Sequence, residues 1–267
     1  AHPKTARVVK LKDNMISLDG TPVTIDAPFF FEDSGINKIN GKYYYSYCLN
    51  WNDDVNEKNP AKANIAYMVS DSPMGPFTYV GTFLQNPGVF FDGLYGNNHH
   101  SVIEFKGQCY VFYHAMYLEK KINGKSNGYR STHVNKVKIN DNGTIAQVQA
   151  NVTGVDQVEY LDPYAWNEAE TISFMGGVET AKTTEKSPNF FNANMVAQVS
   201  KGGFICVQGV DFGDGLGTAG LKVRVASGSS KGSVIKVSLD SRTGDAVAYV
   251  EVPSTGGKTT YTDIIVP

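Results

Sequence analysis

Short apolar and aromatic runs recur along the first half of the chain at Tyr43–Tyr47, Ile65–Ser70, Val102–Phe105, Tyr110–Tyr113 and His133–Ile139, and Gly, Asn, Asp and Pro separate them. Aromatic and β-branched residues bounded by turn formers predict strands. Asn40-Gly41 and the run from Asn140 to Gly143 predict tight hairpin turns. No stretch repeats its apolar positions convincingly at the helical spacing, so no amphipathic helix is predicted. Many short strands divided by turns suit a sandwich, a barrel or a propeller. The character changes after Val155. Residues Asp156 to Pro163 read as a crossing segment, and from Tyr164 the chain is rich in Gly, Ser, Thr and Val. Strands are predicted there near Gly203–Val207, Gly220–Ala226, Ser233–Leu239 and Ala246–Val252. The pattern is that of an all-β chain in two domains, 1–155 and 156–267, the second a β-sandwich.

Composition narrows the function classes. The chain has 267 residues, 41% of them hydrophobic, and a formal net charge of -2. That charge gives no basic footprint for nucleic acid, and no apolar run is long enough to span a membrane. The chain opens Ala1-His-Pro-Lys, without a signal-peptide pattern. Three cysteines, Cys48, Cys109 and Cys206, sit in strand-like apolar runs. Their number and spacing give neither a disulfide framework nor a zinc site, so buried free thiols are expected.

One acidic residue stands out chemically. Glu32 follows Phe29, Phe30 and Phe31 and precedes the aromatic run from Lys42 to Tyr47. It is expected on a short strand or its exit loop, ahead of a hairpin. A carboxyl behind three phenylalanines loses water, which favours its protonated form. A carboxylic acid protonated near neutral pH serves as a general acid. A structural Glu bonded to a turn backbone is the alternative from context alone.

Four segments in order resemble glycoside hydrolase family 43. The Glu32 segment resembles its third-blade general-acid segment. The run from Tyr67 to Tyr79, with Ser70-Asp-Ser-Pro-Met-Gly-Pro-Phe77, resembles its next strand and turn. The run from Gly96 to His114, with His99-His-Ser101, resembles its fourth-blade signature, and Gly128 to Val134 its fifth-blade Arg segment. The resemblance implies part of a five-bladed β-propeller and an inverting hydrolase of the arabinoxylan-active branch. It implies Glu32 as general acid and His99 on the active-site floor beside a bound cation. Arg130 is implied as a donor fork for sugar hydroxyls or a carboxylate, Asn98 as a polar contact and Trp51 as a sugar platform, with His100 structural. Glycoside hydrolysis takes two carboxyl groups. The family's base and pKa-tuning Asp precede the acid, and Asp13, Asp19 and Asp26 lack the base motif. The resemblance therefore implies blades three to five of a longer enzyme, with an N-terminal segment as partner.

The second half resembles carbohydrate-binding module family 6, a jelly-roll sandwich, through Trp166 to Val178, Ile205 to Gly213, Arg224 to Ser227, Leu239 to Ser241 and Val252 to Gly257. The resemblance implies a structural calcium held by Glu168 and Glu170. Alternate residues on a strand share a face, and calcium takes hard oxygen ligands. The family's sugar-stacking Trp is replaced by Lys258, which leaves Phe204 and Tyr261 as candidate platforms in the cleft. The closing strand of the module is expected beyond Pro267. Taken together, the resemblances imply release of α-L-arabinofuranosyl side chains from arabinoxylan or xylan-derived oligosaccharides. β-Xylosidase or endo-xylanase activity and a non-catalytic carbohydrate-binding role are the alternatives. A polymeric substrate implies a secreted or cell-surface location.

Overall fold

In a computed structural model of the chain, residues 5–51, 62–183, 194–197, 202–215 and 220–267 are described. The chain divides into two compact units, Ala1–Asp156 and Gln157–Pro267.

The first unit opens with a ribbon of β1 (Arg7–Val8) and β2 (Val23–Thr24). Four antiparallel strands follow in sequence order: β3 (Phe30–Ile39), β4 (Lys42–Leu49), β5 (Ile65–Ser70) and β6 (Thr78–Leu84). A three-stranded sheet comes next, of β7 (His100–Phe105), β8 (Gln108–Ala115) and β9 (Ser131–Val137). Among the described residues these are two sheets of blade size, where the sequence implied three. Arg130 immediately precedes β9, which pairs with β8 from Cys109↔Val137 to Ala115↔Ser131. The His99 and Arg130 segments therefore belong to one sheet rather than to successive blades.

Local chemistry explains the hairpins. Asn40 and Gly41 both have positive φ, 49° and 80°, which sets the turn type that matches strand twist. Lys106 and Gly107 repeat that geometry between β7 and β8, at φ 50° and 76°. Strand β4 is buried on both faces, so it reads as a continuous aromatic run. Tyr44 and Cys48 join one core cluster with Ile65, Tyr67, Phe83 and Val111, while Tyr45, Tyr47 and Leu49 join another with Ile25, Ala66 and Met68. The alternation is the period of two expected of a strand. Cys48 and Cys109 are buried free thiols, and Cys206 is a half-buried one. Burial first, then the carboxylates of Asp33 and Glu32, push the Cys48 thiol up to about 12, against a lowering contact from the Asn98 backbone N–H.

One helix, α1 (Tyr117–Asn123), was not foreseen. It is a two-turn element that ends at Gly124 in the left-handed conformation, too short to display a helical period.

The second unit is also all β. It holds β10 (Phe174–Gly176), β11 (Glu179–Lys182), β12 (Asn194–Ala197), β13 (Phe204–Cys206), β14 (Leu221–Ser227), β15 (Ser233–Val237), β16 (Ala248–Val252) and β17 (Gly257–Val266). The pairs are β10–β13, β11–β12, β14–β17 and β15–β16, all antiparallel. Strand β17 is ten residues long and lay unrecognised in a Thr-rich segment.

Phe83 marks the packed centre of the first unit. It is fully buried, with its ring edge-on to Tyr67 at 5.9 Å and to His100 at 6.0 Å. Phe83→Ala is expected to lower unfolding free energy by about 3–5 kcal/mol in urea titrations. Val80→Ala, on the same strand but 42% exposed, is expected to change it by less than about 0.5 kcal/mol.

Candidate active site

Glu32 lies within β3 itself, the first strand of the hairpin, rather than ahead of it. The β3–β4 register slips on both sides of it, between Phe30 and Glu32 and between Glu32 and Ser34. Such bulges re-aim side chains. The Glu32 side chain is 34% exposed, so the three phenylalanines do not enclose it. Phe29 and Phe30 pack instead against the Tyr45–Tyr47 core, and polar groups surround the carboxyl.

Those groups come from the other sheet. Asn97 Nδ2 donates to Glu32 Oε1 at 3.2 Å, and His99 Nε2 lies 2.9 Å from the same oxygen. A carboxyl oxygen in this position accepts, so the His99 proton sits on Nε2. One edge, Oε1, is thus anchored twice. That arrangement leaves Oε2 clear of both donors.

The next residue of each segment makes a second contact. His100 donates its backbone N–H to Asp33 Oδ2 at 2.7 Å, and its Nδ1 lies 2.6 Å from that oxygen. His100 Nε2 is 2.7 Å from Ser46 Oγ. Further along, Asn37 Nδ2 donates to the Val102 carbonyl at 2.7 Å. The pairs 32/99, 33/100 and 37/102 advance in the same sense, so β3 and β7 lie side by side in one direction. Burial alone would raise the Asp33 carboxyl. Its bonds to the His100 ring and backbone outweigh that and hold it below the usual carboxylate range.

His114 backs the site. Its Nε2 accepts the His99 backbone N–H at 3.3 Å, and the two rings meet edge to face at 5.4 Å. Burial, then the positive charge of Arg130, bring its pKa down to about 4. A cleft of about 270 Å³ opens here, with Tyr95, Asn97, His114, Met116 and Arg130 in its walls. Arg130 is held by a loop that Glu119 organises. From α1, Glu119 accepts from the backbone N–H of Asn127 at 2.6 Å and of Tyr129 at 3.2 Å, and from Asn127 Nδ2 at 3.0 Å.

The structure therefore gathers Glu32, His99 and Arg130, and adds Asn97, His114 and Glu119, which sequence reasoning passed over. Asn98 is corrected. It is fully buried, its side-chain amide has no partner among the described residues, and Asn97 is the residue that reaches Glu32. Both occupy the irregular stretch before β7, where strand alternation does not yet apply. Trp51 is half-buried and packs against the first core cluster; residues 52–61, which follow it, lie outside the described residues.

The metal expectations meet a different geometry. Glu168 and Glu170 lie in a turn, not on a strand, and Glu168 Oε1 accepts from Trp166 Nε1 at 3.1 Å. Calcium takes six to eight oxygens. Among the described residues no three His, Cys, Asp or Glu side chains converge on a metal position, at this turn or around His99. His99 Nε2 faces Glu32 instead.

In the second unit both candidate platforms carry arginines. The Arg242 guanidinium lies 4.5 Å from the Phe204 ring centre, and that of Arg224 lies 5.9 Å from Tyr261. A sugar stacking on Phe204 from that side must displace Arg242.

The first unit thus holds two blade-sized antiparallel sheets with a carboxyl anchored between them, and a separate all-β unit follows it in sequence. Residues 168–266 match the carbohydrate binding module of family 6. The chain is 48% identical over 264 residues to the arabinoxylan arabinofuranohydrolases of Paenibacillus polymyxa and Bacillus subtilis (strain 168), which covers 99% of this chain and 41% and 50% of theirs. A crystal structure of a glycoside hydrolase family 43 arabinoxylan arabinofuranohydrolase from Bacillus subtilis, in complex with cellotetraose, superposes with a TM-score of 0.84 at 47% identity. That match covers 98% of this chain and 53% of that one. Along nearly its whole length the chain is similar to glycoside hydrolase family 43 arabinoxylan arabinofuranohydrolases, and it spans about half the length of the curated relatives it matches.

His114 gives this site a pH signature. Its folded pKa, about 4, lies below the ordinary histidine value, so the unfolded chain takes up the proton first as pH falls. The stability held by neutral His114 is complete above the unfolded value, about 6.5, and is lost as pH drops from there towards the folded value. Urea midpoints are expected to fall across that window, and His114→Gln to flatten the slope.

Proposed function

We propose that this chain is part of an inverting glycoside hydrolase that removes α-L-arabinofuranosyl side chains from arabinoxylan, with Glu32 as its general acid. The observation that carries the reading is the double anchor on Glu32 Oε1 from Asn97 and His99. It leaves Oε2 to deliver a proton to the departing glycosidic oxygen. Arg130, in the wall of the cleft that Asn97 and His114 also line, supplies fixed donors for sugar hydroxyls. The names of the two relatives that match along nearly the whole chain support the substrate.

Hydrolysis with inversion needs a second carboxylate that activates water on the opposite side of the sugar. Asp33, the neighbouring carboxyl, is engaged by His100 and is not assigned that role. The base and a pKa-tuning Asp are placed by this reading on protein outside the chain, in a segment preceding it. A polymeric substrate carries with it a secreted or cell-surface location. The family 6 module is read as a carbohydrate-binding unit whose Phe204 face is capped by Arg242.

Glu32→Gln in the full-length protein is expected to cut arabinose release from arabinoxylan by on the order of 10²–10⁴-fold, with oligosaccharide affinity retained. Full activity in that variant would remove Glu32 from the mechanism. Arg242→Ala is expected to uncover Phe204 and raise oligosaccharide affinity by calorimetry. A fall would make the arginine part of the binding surface.

A further inference from the structure

A tightly enclosed pair beside the active site is not one that the proposed chemistry uses. His100 is 1% exposed and Asp33 19%. Two bonds converge on Asp33 Oδ2, from the His100 backbone and ring, and the far ring nitrogen meets Ser46 on β4. Phe83 closes over the ring from the core side. Asp33 also has φ of 57°, the left-handed region that a non-glycine residue seldom occupies. The register slip between Glu32 and Ser34 falls at this residue.

These observations concern the immediate chain neighbours of Glu32 and His99. Glu32 meets His99 and Asp33 meets His100 as consecutive pairs across the junction. Fixing the second pair fixes the backbone that carries the first. A bulge with a left-handed residue has other conformations open to it, and the contact with His100 selects one.

We propose that Asp33, His100 and Ser46 form a positioning relay that sets the direction of the Glu32 carboxyl and its contact with His99. The proposal rests on the reading of Glu32 as general acid. None of the three residues touches the reacting atoms. They act by holding the bulge, and the cost of losing them falls on proton delivery. A misplacement of about 1 Å is enough for a loss near 10²-fold.

Leaving-group dependence separates this role from a merely structural one. A 4-nitrophenyl arabinofuranoside departs without help from an acid, whereas an arabinoxylan oligosaccharide needs the proton. In the full-length protein, Asp33→Ala is expected to lower kcat on the oligosaccharide by about 10²-fold and on the aryl glycoside by much less, with KM nearly unchanged. Asp33→Asn, which keeps an acceptor for His100, is expected to recover most of the loss. Ser46→Ala removes only the far end of the relay and is expected to give the same selective pattern in a weaker form; it carries the test if Asp33→Ala does not fold. Equal losses on both substrates, or none, would overturn the proposal. A wild-type protein that cleaves neither substrate would count against the hydrolase reading instead. The crystal structure of Asp33→Asn and Ser46→Ala then decides the relay, which predicts a disturbed Glu32–His99 contact in Ser46→Ala and is overturned if that contact stays at 2.9 Å in both.

Discussion

Two sheets in the first unit are joined where β3 meets β7, and the candidate site exists only because that junction is polar. Glu32 with His99 and Asp33 with His100 are consecutive pairs across it, and Asn37 on Val102 continues the seam. An apolar seam would pack without directional demands. Here each contact requires a donor opposite an acceptor, and burial makes an unmet one costly. The Asp33–His100 contact is deep and the Glu32–His99 contact is half open, so one end secures the junction and the other is accessible to solvent.

The electrostatics follow from that layering. Neutral His114 stands behind His99, kept neutral by burial and by the nearby Arg130 guanidinium. A neutral ring accepts the His99 backbone N–H without adding charge beside Glu32. Glu119 does comparable work at the rim, where its carboxylate gathers the loop from Ser126 to Tyr129 and so sets where Arg130 stands. Rigid supports of this kind hold a site open to a ligand without relying on the ligand to organise it.

Strand positions were legible because aromatic runs and Asn-Gly turns act locally: Ile65–Ser70 was placed to the residue and Asn40-Gly41 formed the expected turn. Glu32 was legible because a carboxyl in that apolar setting is unusual. Its surroundings were not, since Asn97 and His99 arrive from 65 and 67 residues away. Asn98 was preferred over Asn97 because no periodicity governs the approach to β7. Arg130 was given a blade of its own because sequence order does not reveal that β9 pairs with β8. Glu168 and Glu170 have strand-like spacing but occupy a turn. The capping of Phe204 by Arg242, 38 residues further along, is a tertiary contact that no local pattern announces.

The central claim concerns which atom of Glu32 meets the substrate. The most direct measurement is a crystal structure of the full-length Glu32→Gln protein with an arabinose-substituted xylo-oligosaccharide bound. The account predicts the residue-32 side chain anchored through one atom to Asn97 and His99, with its other atom within hydrogen-bond reach, roughly 2.6–3.2 Å, of the glycosidic oxygen. An oligosaccharide held with that oxygen away from residue 32, and another carboxyl beside it, would contradict the account.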